Sequence, residues 1–249
     1  MTSAAVAGSL ILFVAMAAVS ILQFTGFDYG IIRVLNSVSG RSAILDYGMS
    51  GFTLEMFSSL LLVCLIWWAW FGTDHLERRS ALLVGVVMSF VGGILSRGLQ
   101  LTLPTHVRPL FVPALHFQAP LSVNPAVLNS WNSFPSDHAA VFFGLAATLL
   151  LVNRTIGWVA VALAIWLNFV RIYLGFHFPT DVIGGAMLGI FFVMLTQPLR
   201  FSKPVRWIMS FESSRKPLFY AGWFYFCFGV ATLFNDYRGI AKTLMHALK

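Results

Sequence analysis

Three short stretches of this chain place ionisable side chains where apolar runs begin or end. One is Arg108-Pro109, with Arg97 eleven residues earlier; one is Ser133-Phe134-Pro135-Ser136-Asp137-His138; one runs from Arg171 through His177 to Asp181. Charge at the end of an apolar helix is costly, so its clustering marks function. Arginine offers an oxyanion a planar, bidentate fork, and phosphate is the anion such a set suits. The Ser136 hydroxyl, with the free N–H groups of a helix starting at Pro135–His138, would add neutral donors. A carboxylate beside an anion site is unfavourable without an Arg or His partner, so Asp137 is expected to orient a neighbour.

The elements that must position these residues are long and apolar. Of 249 residues 58% are hydrophobic and 10% charged, and the mean hydropathy is +0.81. Soluble domains run at about 45–50% apolar and about 25% charged, so a soluble globular chain is excluded, as is a disordered one. A bilayer core takes about 20 apolar residues per helix. Runs at 4–24, 53–71, 80–101, 138–153, 155–174 and 181–197 predict an all-α, polytopic membrane bundle with a six-helix core. Residues 25–52 are mixed and read as an interfacial helical segment. Residues 1–197 form one expected domain, and 198–249 a basic segment followed by an apolar helix at 217–234, open between a seventh span and a surface-lying or re-entrant piece.

With six spans the ends of the third and fifth and the starts of the fourth and sixth emerge on one side, which gathers the three clusters. Loops at 72–79 and 153–154 and the segment 198–216 face the other side and carry eight of the 16 Lys+Arg residues. If 217–234 crosses, the two sides balance at eight each; if it does not, the tail makes the count eleven against five, which places that side in the cytoplasm. The net charge of +7 includes no run resembling a nucleic-acid arm, and Cys64 and Cys227 read as buried, inert thiols.

Arg108-Pro109, Pro135-Ser136-Asp137-His138 and Arg171-x5-His177-x3-Asp181 together resemble the three signature motifs of the type 2 phosphatidic acid phosphatase (PAP2) superfamily. The resemblance spans residues 97–181 by motif. Two positions depart from it: the family's Lys seven residues before Arg-Pro is Leu101 here, with Arg97 one helical turn back, and the family's Gly between Ser and His is Asp137, a variant that looks like bacterial undecaprenyl diphosphate phosphatases of this superfamily. The resemblance implies His177 as nucleophile, Asp181 as its orienting carboxylate, and His138 as general acid and then base. It implies Arg108, Arg171, Ser136 and Arg97 as phosphate-binding groups, with Asp137 beside them. It implies no cofactor and no metal, and the chain has no HExxH, Asp-rich cluster or P-loop.

The resulting expectation is a multi-pass lipid phosphatase of the cell (inner or plasma) membrane. It acts on a polyprenyl diphosphate through a phosphohistidine, its site outside the cytoplasm and its partners the lipid substrate and the membrane, with oligomeric state left open. Phosphatidate or phosphatidylglycerophosphate hydrolysis and lipid phosphotransfer stand as alternatives. A transporter ranks below them, since no repeat is visible. Bland readings stand beside some residues: Arg97 as a snorkelling helix-end cation, His106 and His116 as loop-surface groups, and Trp131, Asn132 and Phe134 as interfacial packing.

Overall fold

The computed structural model describes residues 2–23, 26–52, 55–104, 106–124 and 132–234. Among them lie ten α-helices: α1 (Thr2–Ile21), α2 (Gly26–Asn36), α3 (Ala43–Phe52), α4 (Glu55–Phe71), α5 (Leu76–Thr102), α6 (Asp137–Val152), α7 (Arg154–Tyr173), α8 (Pro179–Thr196), α9 (Lys203–Ser214) and α10 (Lys216–Ala231). Four stretches are long and apolar enough to cross a membrane: Ser3–Ile21, Leu76–Thr102, Arg154–Tyr173 and Pro179–Phe201; Leu60–Phe71 and Asp137–Val152 are apolar but shorter. The chain is an all-α, multi-pass membrane protein.

Helix α6 is central. It packs against α5, α7 and α8 and is buried from Asp137 through Phe142 and again from Gly144 through Leu149, as befits a helix that is apolar on every side. Without a hydrophobic drive between helices in lipid, close approach depends on small residues. A Cβ on Gly189 of α8 would sit 1.9 Å from the Ala140 carbonyl oxygen, and one on Gly185 would sit 2.2 Å from that of Ser136. These glycines let two backbones touch, which fixes the start of α6 against the start of α8.

The mixed segment 25–52 folds as two short helices at the mouth of the bundle, and its acidic residues do not face water. Asp28 accepts from the Thr180 N–H at 3.0 Å and from its hydroxyl at 2.5 Å. Asp46 accepts from the Tyr173 hydroxyl at 2.5 Å, the Leu121 N–H at 3.0 Å and the Gly40 N–H at 3.1 Å. Both carboxylates are buried and tie α2 and α3 to the ends of α8 and α7.

Helix α10 packs along α4 and α5. Trp223 packs on Trp70 at 5.1 Å between ring centroids, Tyr220 on Trp67 at 5.9 Å, and Phe234 on Phe90 at 4.8 Å. Its 16 residues span about 24 Å, short of the roughly 30 Å apolar core. At the end of the bundle away from the three motifs, Arg79 pairs with Glu212 at 2.9 Å and Arg200 with Glu77 at 3.0 Å. Cys227 is buried as expected, whereas Cys64 is exposed on the outer surface of α4.

Gly189→Ala is expected to destabilise the fold by about 1–3 kcal/mol through overpacking, lowering the thermal midpoint in detergent. Gly222→Ala, whose added methyl meets nothing within 4 Å, is expected to leave the midpoint unchanged or raise it.

Candidate active site

The described ends of the segment between α5 and α6 pair with each other. Val107 and Asn132 form an antiparallel bridge, the Ser133 N–H donates to the His106 carbonyl at 3.0 Å, and the Asn132 amide donates to the Leu103 carbonyl at 3.1 Å. The third stretch joins through the Leu110 N–H, which donates to the Gly175 carbonyl at 3.1 Å, and the Ser136 N–H, which donates to the Asp181 carbonyl at 3.0 Å. Gly175 ends the turn after α7 at φ +75°, with the Phe117 ring 2.7 Å from where a Cβ would stand. That left-handed conformation favours glycine and turns the chain so that His177 enters the bundle.

His177 is wholly buried. Its Nδ1 lies 3.0 Å from the Ser133 carbonyl oxygen and 3.8 Å from Asp181 Oδ2. A carbonyl only accepts, so Nδ1 carries the proton and Nε2 presents its lone pair. Arg108 Nη1 lies 3.3 Å from that Nε2 and also donates to the Phe176 carbonyl at 2.7 Å. Burial first, and the Arg108 guanidinium second, lower the His177 pKa from 6.5 to about 4, so the ring is neutral near pH 7. Asp181 is also wholly buried; its Oδ2 accepts from the Ser133 hydroxyl and, at 2.6 Å, from the Phe178 N–H.

Ser136 caps α6, its hydroxyl oxygen accepting from the Ala139 N–H at 3.3 Å. In the next turn the Asp137 carboxylate takes both the His138 N–H and His138 Nδ1 at 2.9 Å, which leaves Nε2 as the nitrogen directed away from Asp137. The same carboxylate lies within electrostatic reach of Arg171 and His177. Arg171 is steadied over the Phe176 ring, 5.7 Å from its centroid. Burial first, and then repulsion from Arg171, lower the Arg108 pKa to about 10, so its guanidinium remains charged near pH 7.

Arg97 donates to Gln100 Oε1 at 2.5 Å, and Gln100 in turn donates to the Pro135 carbonyl at 2.5 Å, beside the Ser96 hydroxyl at 3.0 Å. The face of α5 that carries Arg97 is thereby bonded to the second motif, while Leu101 points outward, 71% exposed. His106 is no loop-surface group: its side chain is 13% exposed, with Nε2 3.9 Å from Asp181 Oδ1 and 3.1 Å from the Ser20 hydroxyl. His116 is exposed. Phe134 is wholly buried, stacked on Phe13 at 6.1 Å, so it is core and not interface. Trp131 lies outside the described residues. The sequence reading gave Ser133 no role, yet its carbonyl and hydroxyl hold His177 and Asp181 together; its place in the second motif was the available signal. For the cap of α8, Asp181 serves and Thr180 does not, since Thr180 is taken by Asp28.

A PAP2 superfamily profile matches residues 105–203. The chain is 27% identical over 163 residues to undecaprenyl-diphosphatase BcrC of Bacillus subtilis (strain 168), covering 66% of this chain and 79% of that protein. It is also 27% identical over 132 residues to an undecaprenyl-diphosphatase of Sulfolobus acidocaldarius, covering 52% of this chain and 61% of the other. Its fold is similar to that of a transmembrane PAP2-type phosphatidylglycerolphosphate phosphatase from Bacillus subtilis, with a TM-score of 0.56, 24% identity, and coverage of 79% and 96% of the two chains. The matched residues contain the buried His177–Asp181 pair and the arginines around it, and over residues 105–203 this chain matches the PAP2 superfamily.

Proposed function

We propose that this protein is a membrane lipid phosphatase that hydrolyses a polyprenyl diphosphate, undecaprenyl diphosphate foremost. The observation that carries the reading is the His177 ring, whose Nδ1–H is held by Ser133 and Asp181 while its Nε2 lone pair faces Arg108. That is the tautomer a nucleophilic imidazole needs. The undecaprenyl chain is taken from the names of the relatives and from the Asp137 variant.

In the first step Nε2 of His177 attacks the terminal phosphorus; an N–P bond forms and the bond to the bridging oxygen breaks. His138, held by Asp137, gives the leaving oxygen a proton, and the lipid monophosphate departs. Arg108 and Arg171, with the Ser136 hydroxyl, stabilise charge on the equatorial oxygens, and Arg97 adds charge through its tie to Gln100. In the second step His138 takes a proton from water, which attacks phosphorus, breaks the N–P bond and releases inorganic phosphate. Asp181 holds the imidazolium that exists between the two steps. Residues 1–197 carry this machinery, and 198–231 brace it from the far side. The basic residues around Arg79 and Arg200 fit the cytoplasmic face, which supports a site on the opposite side of the cell membrane.

Detergent-solubilised protein is expected to release phosphate from undecaprenyl diphosphate faster than from phosphatidate or phosphatidylglycerophosphate, with or without a chelator. His177→Ala should abolish release, and His138→Ala should slow it by about 10²–10⁴-fold. Wild-type protein inert on all three lipids would overturn the reading; faster turnover of phosphatidylglycerophosphate would keep the reaction and replace the substrate.

Stability should report the buried neutral ring as well. Unfolded, His177 binds its proton near pH 6.5; folded, it does so only near about 4. Between those values the unfolded state holds more protons, so this contribution is full above about 6.5 and is lost as pH falls toward about 4. The gap corresponds to about 3 kcal/mol. Thermal midpoints of the wild type are expected to fall across that window, and His177→Gln should flatten the fall.

A further inference from the structure

We propose that Asp181 is shared by two imidazoles, and that His106, on the side away from His177, is a positioning residue whose protonation sets how well Asp181 stabilises charge on His177. This rests on the phosphohistidine reading above. The two contacts are nearly equal: His177 Nδ1 is 3.8 Å from Oδ2, and His106 Nε2 is 3.9 Å from Oδ1. The two oxygens are not equally served. Oδ2 accepts from Ser133 and Phe178, whereas Oδ1 is buried with no hydrogen-bond donor among the described residues. A buried carboxylate oxygen without a donor is costly, and His106 is the side chain placed to supply one.

The surroundings of His106 give it two states. Its Nδ1 lies 3.4 Å from the Val107 carbonyl oxygen, so Nδ1 carries a proton in both. Neutral, the ring presents an Nε2 lone pair that accepts from the Ser20 hydroxyl at 3.1 Å. Protonated, it directs Nε2–H toward Asp181 Oδ1. The ring stands edge-on to Phe178, centroids 4.7 Å apart. The charged groups facing it are Asp181 and, within electrostatic reach, Asp28. The two carboxylates flank the first turn of α8, and burial raises the pKa of Asp28, so a cation at His106 compensates both.

Phosphoryl transfer puts a positive charge on His177 against Oδ2. A protonated His106 then places a second positive charge on the other oxygen of the same carboxylate. The two cations compete for one negative charge, so the phosphoenzyme forms less readily while His106 holds its proton. His106 touches no substrate in this scheme, and its effect falls on kcat and not on KM.

The test is the pH profile of kcat for the full chain in detergent on undecaprenyl diphosphate, for wild type, His106→Asn and Ser20→Ala. His106→Asn removes the ionisation, so the acid limb should move to lower pH. Ser20→Ala removes the donor that favours the neutral ring, so the acid limb should move to higher pH. KM should change less than about twofold in both, on the scale of a lost contact outside the substrate site. Profiles that superimpose on the wild type, or that move in the same direction, overturn the proposal while leaving the phosphatase reading intact. A second arm needs no turnover: in nitrogen NMR of histidine-labelled protein, Asp181→Asn should move the His106 Nε2 resonance, because that nitrogen faces Asp181 Oδ1 at 3.9 Å. A His106 Nε2 resonance indifferent to Asp181→Asn overturns the shared carboxylate directly.

Discussion

A carboxylate shut away from water must find its donors in the protein, and Asp181 finds them on separate pieces of chain. The Ser133 hydroxyl comes from the long loop and the Phe178 N–H from the turn that opens α8, with the His177 ring standing 3.8 Å from the same oxygen. The Asp181 backbone carbonyl also receives the Ser136 N–H from the start of α6. Stranding one such group costs about 1–3 kcal/mol, and more where it is charged. The second and third motifs therefore hold each other before either meets a substrate.

That mutual hold is available only because α6 and α8 approach so closely. A side chain at Gly185 would push against the Ser136 carbonyl, and the Ser136 N–H would draw back from Asp181. In most membrane bundles small residues at a helix interface supply packing. Here the same glycines set the distance between the turn that carries His138 and the turn that carries His177, so helix packing and site geometry are one constraint.

Much of this was legible in the chain. Apolar run length is a local property, and the runs ending near Phe71, Leu101, Val152, Tyr173 and Thr196 became helices with ends close to those expected. The spacing from Arg171 to His177 to Asp181 marked the site for the same reason. What escaped depends on partners far away in sequence. Asp28 sits in the first turn of an amphipathic helix, where a polar face ordinarily looks to water; its partner Thr180 is 152 residues on. Asp46 finds Tyr173 across 127 residues. His106 has no spacing that singles it out, because its position follows from the bridge between Val107 and Asn132, which no periodic pattern announces.

The balance of charge at the mouth follows from how each group is tied. Asp137 and Asp181 are both turned to histidines while staying within electrostatic reach of Arg108. Arg108 and Arg171 repel each other, but they cannot relax apart. One is anchored by the Phe176 carbonyl and the other lies over the Phe176 ring. On the proposed reading, a phosphoryl group bound between them would relieve that repulsion. Donors fixed before charge develops stabilise it without paying for reorganisation during the reaction. Phe176, an apolar residue next to His177, is thus as much a part of the candidate cationic cradle as the arginines it holds.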